Sequence, residues 1–448
     1  MSGTLAQTPP PEESEQQQML LRPAYLRLLL LSVLLGVPIA FACFFFVSIQ
    51  HWLQHQVWQE LPRTVGYDRA PWWWSLPALA LAGLILAPIV TRMPGRGGHV
   101  PVRGLGGAPT APRELPGVVL AAVLTLPLGV VLGPEAPLMA VGSALALLGI
   151  RLAKRAADPR SRGVVATAGS TAAISTILGG PLVAAVMVVE AAGLAGPELA
   201  LLLLPCLTTS AAGALVFTGF GHWTGLSIGA LSLPTVPPDA VPDAGDFLWG
   251  IPAAVLVALV VTHAHRLGEY TNQWTSQHAK AVRTILCAVA VGVCIAVYTL
   301  LTDRPPTEAA LSGQAGLAQL AADPRSWPVG ALIALVLCKG IAWGICLGCL
   351  RGGPIFPSLL VGTATAVACA GLPGFGDTPA LALGIAVAAT VVTGLPLTSS
   401  VLAGLLMGHD AYNQMPLIVI SAVIAFLTSR LSQRRKREKT GSAAHGEA

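Results

Sequence analysis

A degenerate internal repeat constrains the fold of this chain more than any other feature. Residues 133–143 read GPEAPLMAVGS and residues 353–363 read GPIFPSLLVGT, so both fit Gly-Pro-x-x-Pro-x-x-x-Val-Gly-[Ser/Thr]. A second echo follows each copy, GGPL at 179–182 and GLPL at 394–397. The partners are separated by roughly 215 to 220 residues both times, and a repeat of half a chain is typical of transporters built from two related halves.

Both copies have the chemistry of helices that begin inside a membrane. Gly-Pro before an apolar run lets the chain approach sharply and then fills the first helical position. A helix that begins within the bilayer leaves N–H groups unpaired at its positive end, which attracts an anion. The first copy has Glu135 at this position, whereas the second has Ile355 and Phe356. One helix end therefore carries its own negative charge, and the other is free to receive a mobile one.

The composition predicts a polytopic helical membrane protein. Of the 448 residues, 54% are hydrophobic and only 10% are charged, against about 25% charged in a soluble domain. About ten spans of about 20 residues fit in this length. The 48 Gly and 36 Pro predict tightly packed and interrupted helices. The net charge of +5 comes largely from loops and a tail of cytoplasmic type, so it indicates topology rather than binding to nucleic acid.

The loops that follow the two copies differ in charge. Residues 151–162 contain five Lys or Arg and one acid, Asp158, whereas residues 371–379 contain no Lys or Arg and one acid, Asp377. The positive-inside rule puts the first loop in the cytoplasm. The two equivalent helices are therefore predicted to end on opposite sides of the membrane, as in an inverted repeat.

The expected organisation has two membrane repeats and polar ends. We expect the plasma membrane as location, both termini in the cytoplasm and no signal peptide. His263, His265 and His278 are assigned to a solvated basic loop. The predicted segments are a disordered cytoplasmic tail at 1–23, repeat one at 24–220, an external linker at 221–246, repeat two at 247–432 and a basic cytoplasmic tail at 433–448.

Taken in order, these motifs resemble the CLC chloride channel and transporter family over residues 24–431. The family signature Gly-Arg-Glu-Gly-Pro is similar to residues 133–137, Gly-x-Phe-x-Pro corresponds to 353–357, and Gly-Ser-Gly-Ile-Pro corresponds loosely to 97–101. The chain looks most like a divergent bacterial branch whose members are named only as ion-transport proteins. The resemblance implies an all-α fold of CLC type, an inverted repeat with broken and re-entrant helices.

The resemblance also implies a homodimer in the lipid bilayer, with one anion pathway per subunit and Glu135 as a gating residue. In that interpretation the ionised carboxylate occupies an anion site at the helix end, and protonation lets it swing away so that a halide replaces it. An argument independent of the resemblance supports this role. Inserting a charged carboxylate at membrane depth costs about 2.5–3.5 kcal/mol on insertion scales, and such residues are usually functional. The anion-binding residues implied by the motifs are Gly98, His99, Gly133, Gly353, Ile355 and Phe356.

Four positions depart from the family pattern. Gly98 stands where the family has a serine, with His99 beside it as a substitute donor, and Pro354 has no N–H where the family supplies one. No tyrosine matches the family's pore tyrosine after the last span. Glu190 matches the first acid of a Glu-Glu pair, but Ala191 stands at the proton position. The sequence therefore does not determine whether the pathway selects chloride or whether anion movement is coupled to protons.

Two further charges, Glu190 and Lys339, lie within apolar runs. Glu190 either pairs with a buried cation or lines water, and a structural role is favoured. Lys339 either pairs with Glu190 or raises the local potential for anions.

The residues are compatible with several functions. The preferred one is passive permeation of chloride or another halide gated by Glu135, and the alternative is a proton-coupled anion antiporter. A membrane enzyme would need acids, His or nucleophiles clustered at one depth, and only Glu135, Glu190 and Lys339 are expected inside. Transport of an uncharged solute and a non-transporting relic remain as other readings. The eight Cys are scattered, so we expect no metal site and no cofactor.

Overall fold

The computed structural model describes residues 20–104, 108–152, 159–193, 196–224 and 241–446, together with Leu233, Val236 and Pro237. Within these residues the chain forms helices and loops, and its β-type pairing is one isolated bridge between Gly133 and Gly353. The fold class is thus the all-α membrane architecture that the sequence predicts.

The first half contains two long helices and several shorter ones around the first copy of the repeat. Its helices are α1 Pro23–His55, α2 Leu61–Thr64, α3 Ser75–Arg92, α4 Leu115–Thr125, α5 Glu135–Leu152, α6 Pro159–Ser175, α7 Pro181–Ala192 and α8 Gly196–Thr224. A π-helical turn at Gln56–Glu60 joins α1 to α2, and 3-10 turns lie at Pro94–Gly97, Pro101–Arg103 and Leu126–Leu128.

The second half repeats this plan around the second copy. Its helices are α9 Ala244–Gln277, α10 Lys280–Thr302, α11 Pro306–Ala309, α12 Gln314–Ala322, α13 Val329–Cys349, α14 Ile355–Val367, α15 Asp377–Thr393, α16 Pro396–Met407 and α17 Ala411–Gly446. Two 3-10 turns lie at Pro324–Ser326 and Gly408–Asp410.

Eight helical segments in the described residues are long and apolar enough to cross a membrane, so the chain is a multi-pass membrane protein. The expected ten or so full spans are replaced by these eight and by shorter apolar helices of 10–17 residues. Two of the shorter ones, α7 and α14, begin within copies of the repeated motifs, as broken or re-entrant helices do.

Two pairs of corresponding helices match in length, and the motif helices of the two halves cross their neighbours in a similar way. The helices α6 and α15 both have 17 residues, and α7 and α16 both have 12. An added Cβ at Gly142 on α5 would lie 2.2 Å from the carbonyl oxygen of Gly169 on α6. At Gly362 on α14 it would lie 2.9 Å from the carbonyl oxygen of Gly384 on α15. Each half thus needs small residues where its motif helix crosses the next helix.

The core of the molecule surrounds α14. All 13 residues of this helix are buried, as expected for a helix that is apolar on every side. It packs against α9, α12, α13 and α15. The amino end of α14 therefore lies deep in the protein, and a polar ligand there is shielded from lipid.

One prediction about the chain requires correction. His263 and His265 lie in α9 rather than in a loop, since that helix continues well past its apolar stretch. Helices α15 and α16 are separated at Gly394, whose left-handed φ of 71° ends α15, and Pro396 starts α16. Helix α17 continues through the predicted basic tail to Gly446, and the cytoplasmic location of that tail stays a prediction. Half of the predicted linker and most of the predicted N-terminal tail lie outside the described residues.

Candidate ion-permeation site

Gly133 and Gly353 join the two copies of the motif directly. The N–H of Gly133 donates to the carbonyl of Gly353 over 2.8 Å, and the N–H of Gly353 donates to the carbonyl of Gly133 over 2.5 Å. This pair forms the isolated antiparallel bridge of the structure. Because the bridge lies just before α5 and α14 begin, the amino ends of these two helices meet inside the protein.

Glu135, the first residue of α5, is fully buried at this meeting point. Its Oε1 accepts the main-chain N–H of Phe356 over 2.8 Å, so the side chain of one motif caps the helix of the other. Its Oε2 has no hydrogen-bond partner among the described residues. Leaving a buried acceptor without a partner costs free energy. A proton can therefore bind at this oxygen without displacing a hydrogen bond.

The carboxylate of Glu135 lies between two glycines. A Cβ added at Gly133 would lie 2.0 Å from Oε2, and one added at Gly353 would lie 1.8 Å from the same atom. Neither glycine has a positive φ, so the reason for glycine at both positions is this close approach. The two glycines thus form a slot that only a small group can enter.

The amino end of α14 supplies the donors of the site. Pro354 precedes the helix with a φ of −87° and has no N–H to offer. Ile355 and Phe356 are almost completely buried, and the N–H of Phe356 is engaged by Glu135. The structure therefore brings together five of the residues that the sequence singles out: Glu135, Gly133, Gly353, Ile355 and Phe356.

A cavity of about 630 Å³ adjoins this point. Ala136 and Pro137, which follow Glu135, line it on one side, and Gly352, which precedes Gly353, lines it on another. Its wall also contains the two remaining predicted anion-site residues, Gly98 and His99. Polar groups in the wall include Thr110, Ser143, Thr167, Ser170, Thr171 and Thr393.

His99 lies in the glycine-rich loop after α3, and its side chain is exposed. Partial desolvation by the surrounding chain lowers the pKa of His99 below the ordinary value of an imidazole. The positive charges of Arg103 and Arg351 also lower this pKa. The ring is therefore a neutral donor at neutral pH rather than a cation.

Ala191, at the position where the resemblance implies a proton-carrying acid, also lines the cavity. Its neighbour Glu190 is directed elsewhere. Glu190 Oε1 accepts from the N–H of Leu397 over 2.9 Å, and Oε2 accepts from the N–H and the hydroxyl of Thr398, both over 2.7 Å. Glu190 therefore caps the amino end of α16, which is the helix of the second echo.

Lys339 is fully buried in α13, and its partners are main-chain carbonyls. Its Nζ donates to the carbonyl oxygens of Glu308, Ala309, Ala310 and Leu311 over 2.8–3.2 Å. These carbonyls lie at the end of the short helix α11 and in the two residues after it, so the ammonium compensates a negative helix end. The partners of Glu190 and Lys339 are thus two different helix termini, in place of the pairing of these two side chains that the sequence left open.

Sequence reasoning missed Arg351. This side chain is only 3% exposed and lies between the end of α13 and Gly352. A guanidinium between two fully apolar runs, directly before the glycines of the second motif, is the signal that could have revealed it.

Known proteins with similar sequences and folds point to one family. The sequence profile described as voltage gated chloride channel matches residues 99–430, about three quarters of the chain. A protein of Escherichia coli O1:K1 named "Putative ion-transport protein YfeO" is 34% identical over 173 residues. That alignment covers 38% of this chain and 40% of the relative.

Solved structures with little sequence identity share the fold. A slow cyanobacterial Cl⁻/H⁺ antiporter superimposes with a TM-score of 0.74 at 16% identity, covering 90% of this chain and 94% of its own. A CLC-type fluoride/proton antiporter gives 0.67 at 18% identity, with 90% and 95% covered. A eukaryotic CLC transporter gives 0.68 at 17% identity, with 91% and 72% covered.

The profile match over most of the chain, the shared fold and the two facing helix ends agree with one another. The chain belongs to the voltage-gated chloride channel family, whose members are ion channels or transporters rather than enzymes.

Proposed function

We propose that the protein moves small anions, chloride or another halide, across the membrane through the cavity and past Glu135. The observation that carries this proposal is the bond from the Phe356 N–H to the Glu135 carboxylate. A negatively charged oxygen already occupies the amino end of α14, in a buried slot. The same donor and the same helix dipole would hold a halide once the carboxylate leaves.

Glu135 is the gate in this proposal. When it is ionised, it competes with the anion for the Phe356 N–H and closes the pathway. A proton on the unpartnered Oε2 removes the charge and weakens the hold of the helix end on the side chain, without first breaking a bond at that oxygen. Since Ala136, Pro137 and Gly352 line the adjacent cavity, an anion there is next to the vacated site.

A proton-coupled anion antiporter is the second candidate. Two proteins of the same fold are named as chloride/proton and fluoride/proton antiporters, which favours it. Against it, the cavity wall has Ala191 where an acid would be needed, and both oxygens of Glu190 are already bonded to α16. Passive permeation therefore fits the described residues better.

The proposal includes the assembly and orientation expected from the sequence. The protein is a homodimer in the plasma membrane, with one pathway per subunit and both termini in the cytoplasm. Support comes from the family membership and from the basic residues after α5. Chemical cross-linking in membranes would test the dimer, and labelling of single introduced cysteines from either side would test the orientation.

The function is tested with purified protein in liposomes loaded with chloride, fluoride, bromide, nitrate or sulfate. Valinomycin dissipates the potential, and pH is recorded on both sides. We expect release of monovalent anions without net proton movement and no release of sulfate. Uphill anion movement driven by a proton gradient would establish the antiporter instead. Absence of flux for every anion at every pH would refute the proposed function.

A further inference from the structure

Arg351 carries a positive charge that no acid neutralises in the part of the chain that the structure describes. No carboxylate of these residues lies within 4 Å of its guanidinium. Its donors instead bond to main-chain carbonyls: Nε to Arg96 over 3.1 Å, and Nη1 to Leu350 over 2.9 Å and to Cys349 over 3.3 Å.

Those carbonyls compensate the charge only in part. Cys349 and Leu350 end helix α13, and a helix carboxyl end provides the equivalent of about half a negative charge. Burial lowers the pKa of Arg351 to about 10, so it is still charged at neutral pH. A net positive charge therefore remains in a region where solvent hardly reaches it.

Further basic residues surround Arg351. Arg96, Arg103 and Lys280 all interact electrostatically with it or with one another. Glu114 lies beside this loop, since a Cβ added at Gly95 would lie 2.6 Å from its Cβ, and its Oε2 accepts the N–H of Ala111 over 3.3 Å. The field on this side of the protein is thus positive.

The uncompensated charge lies directly behind the wall of the cavity. Gly97 separates the two: it lines the cavity, and an added Cβ on it would lie 3.4 Å from Arg351 Cγ. Gly352, the residue after Arg351, lines the cavity as well. Because neither glycine has a side chain, the field of the guanidinium passes into the cavity across little more than one layer of backbone.

We propose that Arg351 makes the cavity selective for anions. Its buried positive charge has no neutralising acid among the described residues, and an anion in the cavity supplies the missing negative charge. The bond from Nε to the Arg96 carbonyl also fixes the loop that holds Gly98 and His99. Arg351 is thus a positioning and selectivity residue that does not itself contact the ion. This inference rests on the proposed anion pathway, and it identifies the residue that determines the affinity of the cavity for anions.

The test separates binding from transport. Purified full-length protein is unfolded thermally in gluconate and then in rising chloride, fluoride or nitrate. Anions should raise the unfolding temperature of wild type, because they bind only the folded state. Arg351→Gln and Arg351→Met should lose most of this anion-dependent rise, whereas Arg351→Lys should keep most of it. Arg92→Gln, an exposed arginine at the end of α3, is the control and should behave as wild type.

In liposomes, Arg351→Gln should raise the half-saturating anion concentration roughly tenfold while changing the maximal rate much less, since one unit charge acts over a short, partly shielded distance. An unchanged anion-dependent rise in Arg351→Gln or in Arg351→Met would overturn the inference. So would a loss in Arg351→Lys equal to that in Arg351→Gln, because the loop contact alone would then explain it. Wild type that binds anions but gives no flux would refute the proposed function and leave the assignment of Arg351 intact.

Discussion

The Glu135 side chain, at the start of α5, accepts the main-chain N–H of Phe356, at the start of α14, over 2.8 Å. These residues are 221 positions apart in the chain, yet the exchange of hydrogen bonds between Gly133 and Gly353 fixes their separation. The acid of one repeat therefore occupies the helix end of the other. The proposed gate is thus a competition between this tethered carboxylate and a free anion for one donor.

Glu135→Gln should abolish the pH dependence of anion flux. The amide is isosteric but neutral at every pH, so it competes weakly with an anion. At neutral pH we expect flux roughly tenfold above wild type, the factor that about 1.4 kcal/mol of relieved competition gives. Flux from chloride-loaded liposomes at several pH values measures this. A Glu135→Gln profile that still follows pH as wild type does would remove the gate from Glu135.

Gly353→Ala should expel the Glu135 carboxylate without breaking the fold. The new methyl would collide with Oε2, the far end of a flexible side chain, while the backbone of residue 353 tolerates alanine. The pH dependence of flux should therefore weaken. Since both changes act on the same carboxylate, the effects of Gly353→Ala and Glu135→Gln should be far from additive in a double-mutant cycle. Fully additive effects would show that the slot and the carboxylate act separately.

Glu190→Ala should lower stability rather than alter ion coupling. It removes the cap of α16, and losing such a cap costs about 0.5–2 kcal/mol. Thermal unfolding of the purified protein gives the readout, with Glu190→Gln expected to recover part of the loss because it retains one acceptor. A changed ratio of protons to anions in Glu190→Gln, at unchanged stability, would contradict a purely capping role and favour the antiporter.

His99→Gln should leave anion affinity at neutral pH nearly unchanged, because both side chains are neutral donors there, whereas His99→Ala should lower it.

The His99→Gln variant should also change how the stability of the protein responds to acid. Desolvation lowers the pKa of His99, so the unfolded state binds more protons than the folded state as pH falls below the ordinary imidazole value of about 6.5. Wild type should thus lose slightly more stability than His99→Gln below that pH in thermal unfolding. An equal acid response of the two proteins would argue against this shift.

The sequence contained the local chemistry of the site but not its long-range partners. Glu135, Ile355 and Phe356 could be assigned to helix starts because Gly-Pro before an apolar run has few other meanings in a membrane protein. The partners of Glu190 and Lys339 could not be predicted, since hydrogen bonds to main-chain groups depend on packing and leave no residue pattern.

The error about His263 and His265 has a related cause. Helix α9 continues through His263 and His265 because polar residues can extend a helix beyond the membrane edge, and apolar length alone does not register them. The role of Arg351 was not predicted because its surroundings are formed by Arg96 and Gly97, which are distant in the chain.

Glu135 and Glu190 both belong to the first repeat, and both bond to helix starts of the second. The corresponding positions of the second repeat, Ile355 and Leu405, have no acid to return. Rotating the molecule by half a turn about an axis in the membrane plane would thus bring each repeat onto the backbone of the other. It would also put the acid-bearing helix ends where the uncharged ones lie. Under the proposed function, such a protein would respond differently to a voltage or a proton gradient and to the same gradient reversed, which two identical inverted halves could not do.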